Sequence, residues 1–357
     1  MRRLEPRDIL DLIGAGEPIR EADLSGIDLS GLDLTGGLFL KVSFSGTLFS
    51  GAILERGLFK DCTLSGSTFS GTNLKKTAFI DSDLSDSQVH ESDGSGSRWI
   101  GTGLSGARIE RSRLRLASFV KCAFVGASFD GSDLERASFI DGTFGETDFS
   151  RTRLIKTVFV KPDLSGTRFT GATFQNPIFV KSILRDIDFS GQRLPMIQAS
   201  GCDLSRTRWI KADVSLGNFY QSDLSEANFE HAMGNRVLFS EASLRKVFAV
   251  KAHFSMSSFQ KADATEADFS DSDLSFSPFT EARLGTVNFS GANLSFCDFS
   301  HSDLNGAVFQ GADLSRANFH QAREVAAEFG GATRSLARET DPERREAEDF
   351  QPRIFEG

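Results

Sequence analysis

The 357-residue chain has few of the groups that usually carry chemistry: five histidines, four cysteines, four methionines, two tryptophans and one tyrosine. The histidines, His90, His231, His253, His301 and His320, are scattered, and none stands beside a cysteine at metal-ligand spacing. There is no phosphate-cradling glycine loop and no nucleophile elbow. No apolar run approaches the ~18 residues that cross a bilayer. The N-terminal Met-Arg-Arg-Leu-Glu-Pro-Arg-Asp has no apolar segment long enough for a secretory signal. These absences argue against an enzyme, a metal or cofactor protein and a membrane protein. They leave the cytoplasm as the expected location.

What is abundant is arithmetical. From Leu24 to Phe319 every residue whose number ends in 4 or 9 belongs to one series of sixty positions, of which 28 are Phe and 22 are Leu. No insertion or deletion breaks the phase. A strand returns a side chain to one face every two residues and a helix every 3.6, so a period of five fits neither. The chain must turn a corner every five residues with the large apolar group inward. Two residues earlier stands a small residue (Ala22, Ala52, Thr72, Ser82, Ala107, Ala137, Ala292), also inward. The other three positions are mostly polar and face water.

Longer periods show how many units make a turn. Numbers ending in 9 are mostly Phe and those ending in 4 mostly Leu. The residue after a fourth unit is apolar at Leu40, Ile80, Ile100, Val120, Ile140, Val160 and Val180, whereas the slot halfway between is polar (Ser70, His90, Glu110, Asp130, Ser150). The repeat is therefore twenty residues, which predicts four-sided coils, about fifteen of them. At about 4.8 Å per coil they would make a rod of roughly 70 Å.

Units such as Ala22–Gly26 (Ala-Asp-Leu-Ser-Gly) and Ala312–Arg316 resemble those of pentapeptide repeat proteins. The resemblance covers roughly residues 20–321. It implies an all-β fold, a right-handed quadrilateral β-helix; because an open solenoid end exposes core and unpaired backbone, short helical caps are expected at the termini. The expected organisation is a cap over 1–21, the β-helix over 22–321 and a cap or tail over 322–357. In the first cap, Pro6 suits an opening helical turn, Ile9, Leu10, Leu12 and Ile13 make an apolar face, and Gly14 stops the helix. In the last, Gln321–Phe329 reads as a short helix ended by Gly330 and Gly331. Asp341-Pro342-Glu343 reads as the start of another, and Phe350–Phe355 as a tail with three apolar groups, either frayed or partner-binding.

Irregular positions are few. The inward series fails at Gly94, Ala199, Gly234, Ala249 and Ala264, where a void or a replacement is expected, with Met233 and Phe248 as candidate replacements and a loosened corner at Gly94. Cys62, Cys122, Cys202 and Cys297 all fall in the small inward slot, several coils apart, and read as core residues beyond disulfide reach.

Three surface features bear on function. The first is an apolar side over the first eight coils, formed by Leu38, Leu40, Leu58, Ile80, Ile100, Val120, Ile140, Val158, Val160, Ile178 and Val180, roughly 400 Å² in extent. From Gln198 and Ser200 onward this side turns polar, with Leu238 an exception. A stacking preference of β-branched residues alone would persist along the whole repeat, so the side reads as a partner or self-association surface. The second is a crowd of arginines that resembles a phosphate patch as a list. On a twenty-residue coil it resolves into alternating rows, Asp93-Arg113-Asp133-Arg153 and Asp148-Arg168-Asp188-Arg208. The third is acidity: the chain carries a formal −9.

Together these readings describe a non-enzymatic, rigid protein-binding scaffold needing no cofactor and no metal. Its expected partner is another protein, or a second copy engaged through the apolar side or the C-terminal tail, with neither membrane nor nucleic acid expected. The opening Arg7–Ile13 followed by Asp-Leu-Ser-Gly units is similar to pentapeptide proteins associated with bacterial type VI secretion, which implies an adaptor role there. The rival reading is a DNA mimic of the quinolone-resistance type, binding gyrase or topoisomerase IV.

Overall fold

A computed structural model describes residues 3–350. Its contacts divide the chain into two compact units, Met1–Asp188 and Phe189–Gly357.

The first unit opens on helix α1, Pro6–Gly14. Pro6 occupies the first turn, where no N–H is needed, and the Glu5 N–H donates to Asp8 Oδ2 at 3.0 Å. Ile9 is its buried residue. The solenoid follows. Its largest sheet contains β1 (Ile19–Arg20), β2 (Leu38–Leu40), β3 (Leu58–Lys60), β4 (Ala78–Ile80), β5 (Arg98–Ile100), β6 (Ser118–Val120), β7 (Ser138–Ile140), β9 (Val158–Val160) and β11 (Ile178–Val180). All pairs are parallel and in twenty-residue register, Ile19 on Phe39, Phe39 on Phe59 and so on to Phe159 on Phe179. β8 (Arg153–Ile155) and β10 (Thr173–Gln175) pair on another side. The remaining sides touch through single bridges, such as Asp23 to Ser43 and Asp28 to Leu48, again twenty apart.

Every inward position of the period-five series between Leu24 and Asp188 is buried. Beneath the nine-stranded sheet the rings stack in one column: Phe39–Phe59 at 4.7 Å, Phe59–Phe79 at 5.0 Å, Phe79–Trp99 at 4.3 Å, and onward to Phe159–Phe179 at 5.2 Å. The small slots that hold hydroxyls do more than save space. Thr47, Thr72 and Thr77 each donate to the carbonyl oxygen twenty-three residues earlier at 2.8 Å, satisfying a buried group. Trp99 Nε1 donates to Ser97 Oγ and Trp209 Nε1 to Thr207 Oγ1, both at 2.8 Å, so each buried indole finds its acceptor in its own small slot.

The second unit keeps the same register through bridges from Arg193–Asp213 to Asn318–Arg338. Its ring column runs Phe219–Phe239–Phe259–Phe279–Phe299–Phe319, with steps of 4.6 to 5.4 Å. Helix α2, Pro342–Asp349, has Asp341 as N-cap, its carboxylate accepting from the Glu343 and Arg344 N–H groups.

Several expectations are corrected. The solenoid is wider than 22–321. β1 already pairs at Ile19, and the helix expected over Gln321–Phe329 is instead part of one more turn, bridged at Arg323, Glu328, Thr333 and Arg338. The period-five phase persists there, but Glu324 and Arg334 take inward places. The Arg334 guanidinium lies over the Phe319 and Phe329 rings at 4.6 and 4.4 Å, closing the stack with a cation instead of a helix. Met233 and Phe248 do not fill the core, being 56% and 41% exposed. At Gly234 the space is taken by Phe254 from the next turn, whose ring would lie 2.4 Å from an added Cβ. Gly94 is not a loosened corner. Its N–H donates to Arg113 O at 2.7 Å, its carbonyl accepts from Ser97 N–H at 3.0 Å, and Leu114 leans into the vacated place. Of the tail over Phe350–Phe355, all but Phe350 lies outside the described residues.

Candidate partner-binding face

The outer surface of the nine-stranded sheet carries every residue of the anticipated apolar side. Because side chains alternate along each three-residue strand, the central aromatic points inward and its two neighbours outward. The pairing register arranges those neighbours in two columns. One reads Leu40, Lys60, Ile80, Ile100, Val120, Ile140, Val160, Val180, and the other Leu38, Leu58, Ala78, Arg98, Ser118, Ser138, Val158, Ile178.

This geometry narrows the face. Lys60 interrupts the first column, and Arg98, Ser118 and Ser138 interrupt the second, with Ser138 Oγ donating to Ser118 Oγ at 3.3 Å. The continuous part is Ile80–Ile100–Val120–Ile140–Val160–Val180, widened by Leu38, Leu58 and Ala78 at one end and by Val158 and Ile178 at the other. It is open to solvent: Leu38, Ile100 and Val180 are 37%, 37% and 38% exposed, and most of the others are partly exposed. Along its border runs a row of corner residues of both charges, including Lys41, Asp61, Asp81, Lys121, Asp141, Lys161 and Lys181. An apolar centre with a charged rim is the anatomy of a protein interface.

In the second unit the same phase of the repeat is polar. Asn218 Nδ2 donates to Gln198 Oε1 at 3.2 Å, and Ser240 and Ser258 lie 2.7 Å apart, with Leu238 the exposed exception. Three-residue strands also end with β11, and in the second unit the same phase of the repeat holds single bridges, such as Asn218 with Leu238 and Asp298 with Asn318. β-Branched residues favour extended backbone, and the strands carry at least one of them except β2 (Leu-Phe-Leu) and β3 (Leu-Phe-Lys).

The arginine rows are paired. Arg113 approaches Asp93 at 3.9 Å, Arg168 meets Asp148 at 3.0 Å, and Arg153 meets Asp133 at 3.1 Å. The structure adds a partner unseen in the rows: Glu135, held by Arg115 at 2.5 Å and by Arg153 at 2.7 Å. The Arg153 hydrogen bond and both guanidinium charges hold the Glu135 carboxyl below its ordinary value. Arg151 pairs with Asp130 and Arg108 with Glu110. A ladder of ion pairs leaves little net field for phosphate.

The histidines are scattered in the sequence, but the fold gathers two of them with a carboxylate. His301 Nε2 and His320 Nε2 lie 3.2 and 3.1 Å from Glu348 Oε2. The twenty-residue period places His301 and His320 on consecutive turns. Glu348 arrives from α2, which no periodicity indicated. Two imidazoles and a carboxylate are a metal-ligand set by type. Their hydrogen bonding is not. His320 Nδ1 accepts the Asp341 N–H at 3.1 Å, so its Nε2 carries the proton and donates to Glu348 instead of offering a lone pair. Gln321 Nε2 and Arg344 Nε also donate to Glu348, at 2.8 and 2.7 Å. The cluster is a clasp for α2.

A family model described as pentapeptide repeats matches residues 19–56, 58–93, 100–191 and 238–321, the last two stretches through overlapping copies. No curated protein sequence matches. Among solved structures, the chain is similar to HetL, a pentapeptide repeat protein involved in heterocyst differentiation regulation in the cyanobacterium Nostoc, at 18% identity and a TM-score of 0.22, covering 85% of this chain and 96% of that one. It is also similar to QnrB1, a plasmid-mediated fluoroquinolone resistance protein, at 20% identity and a TM-score of 0.22, covering 64% and 95%. Likenesses at this level say nothing of what this chain binds.

Proposed function

The chain belongs to the pentapeptide repeat family, and from that premise we propose that it is a non-enzymatic, rigid scaffold that binds another protein through the apolar face of the nine-stranded sheet. In this reading the solenoid is a right-handed four-sided β-helix of about fifteen coils, working in the bacterial cytoplasm, with a type VI secretion adaptor as its specific form. One observation carries the reading. The apolar column from Ile80 to Val180 stands uncovered in one stretch of the repeat and is replaced by polar residues at the same phase thereafter. A surface held by backbone pairing on every turn loses little conformational entropy on docking. The family model that matches indicates no enzyme family, and among the described residues no helix is long and apolar enough to cross a membrane.

The test is affinity capture from host lysate with wild type beside Val120→Asp/Val160→Asp, read by mass spectrometry, with circular dichroism to establish that both fold alike. The expected outcome is a protein retained by wild type and depleted at least tenfold by the double variant, since buried interface positions carry most of the binding energy. Equal retention by both proteins would remove the face from the reading. The DNA-mimic alternative predicts inhibition of gyrase supercoiling that weakens with salt; with the acidic rows neutralised by arginines, no inhibition is expected.

A further inference from the structure

A second apolar column lies in the second unit, at a different phase of the repeat. The corner residues Met196, Leu216, Met256, Phe276, Phe296 and Leu336 are 41%, 51%, 50%, 51%, 44% and 69% exposed. They form one row with Arg236 and Arg316. Met196 N donates to Ser215 O, Leu216 N to Asn235 O, Met256 N to Ser275 O, Phe276 N to Ser295 O and Phe296 N to Ser315 O, all at 2.8 or 2.9 Å, so each corner sits directly against the next. The Phe276 and Phe296 rings stack at 4.6 Å and 9° in the open, and the Arg316 guanidinium lies 5.3 Å from the Phe296 centroid.

These corners have φ near +60°: Met196 59°, Leu216 61°, Phe276 60°, Phe296 61°. That region costs an L-residue about 1 kcal/mol or more and favours Gly, Asn or Asp. In the first unit the same phase holds Gly36, Arg56, Lys76, Gly96, Arg136, Lys156 and Asn176, with Leu116 the one apolar member. Large apolar groups at such corners oppose both local preference and solvation. Among the described residues nothing covers them.

We propose that a second copy of this chain docks on this corner column in antiparallel, two-fold register. An occupant must offer apolar groups at about 4.8 Å spacing over the whole row, which the column itself does. A two-fold axis between the Met256 and Phe276 turns sets Met196 against Leu336, Leu216 against Arg316, Arg236 against Phe296 and Met256 against Phe276, so that no arginine meets an arginine. Parallel stacking in register would place Arg236 on Arg236 and Arg316 on Arg316. The six side chains leave on the order of 600 Å² open, which with the arginine stems approaches the ~800 Å² each partner contributes to a standard interface. A closed two-fold arrangement also uses up the column.

The proposal is tested on the full chain by sedimentation velocity from about 1 to 100 µM, the range in which a modest interface becomes populated. Wild type should pass from monomer to dimer. Phe276→Asp/Phe296→Asp should raise the dissociation constant about a hundredfold or more. Asp is already accommodated at such a corner by Asp271, with φ of 55°, so this variant keeps its fold. Val120→Asp/Val160→Asp should leave the dimer unchanged. For orientation, Met196→Cys protein mixed with Leu336→Cys protein should cross-link under mild oxidation, while neither should cross-link alone; the four native cysteines are buried. A wild type monomeric throughout, including one whose column instead takes a segment of another protein, overturns the proposal. So does a dimer that persists in the Phe variant, or one in which Met196→Cys cross-links to itself.

Discussion

Lys41, with φ of 55°, shows what a corner asks of its residue. Its N–H donates to Lys60 O at 2.9 Å, one of a continuous row of such bonds, and that row holds an L-residue in a region it avoids in isolation. Inside the wall the constraint is volume. Gly234→Ala would drive its Cβ to 2.4 Å from the Phe254 ring, so it should cost about 1–3 kcal/mol by chemical denaturation even though it adds one methyl group. Desolvation pushes the thiols of Cys62 and Cys122 up to about 11 and that of Cys297 higher still. At pH 8 a thiol of that pKa is about one thousandth thiolate, so native protein should react negligibly with a disulfide reagent, and all four thiols should react on denaturation.

Among the elements, α2 depends most on a single side chain. None of its residues is buried, and its ties to the solenoid run through Glu348 and the bonds of Thr340 and Asp341. Desolvation raises the Glu348 carboxyl, but hydrogen bonds from His320 and Arg344, with the Arg344 and His301 charges, outweigh it and leave the group below its ordinary value. A depressed carboxyl contributes stability above its unfolded pKa and loses it as pH falls through the folded one. Amide exchange over 342–349, corrected for intrinsic rate, should therefore stay slow through the ordinary carboxylate range and quicken below it. Glu348→Gln should quicken it at neutral pH. The adjoining last turn relies on Arg334 stacked over Phe319 and Phe329, and Arg334→Ala should lower the stability of the second unit by about 1 kcal/mol.

At the scale of the whole molecule, the described residues of each unit carry an exposed apolar row, and the two rows occupy different phases of the same repeat. Partner capture and self-association are then separable. Phe276→Asp/Phe296→Asp should keep the partner bound by wild type, and Val120→Asp/Val160→Asp should keep the dimer. Each unit also has its own aromatic column. Phe139→Ala, in the middle of the first, should cost about 3–5 kcal/mol, read from denaturant unfolding of that unit.

The sequence by itself determined the solenoid, the twenty-residue register, the inward Leu and Phe, and the alternating rows of Asp93, Arg113, Asp133 and Arg153, because a strict period converts numbering into neighbourhood. It determined the membership of the apolar side of the first unit for the same reason. What period cannot express depends on packing. The paired register exposed Lys60, Arg98, Ser118 and Ser138 as breaks in that side. The corner column obeys the same twenty-residue arithmetic, its members following the ordinary apolar slots by two residues; the structure adds that Met196, Leu216, Met256, Phe276, Phe296 and Leu336 sit at φ near +60° and stay exposed. Met233 and Phe248 face water because shifting one residue inward would turn the flanking slots the wrong way. The clasp at Glu348 and the Arg334 cap lie where the apolar pattern has ended, and there neighbourhood depends on how the last turn and α2 pack.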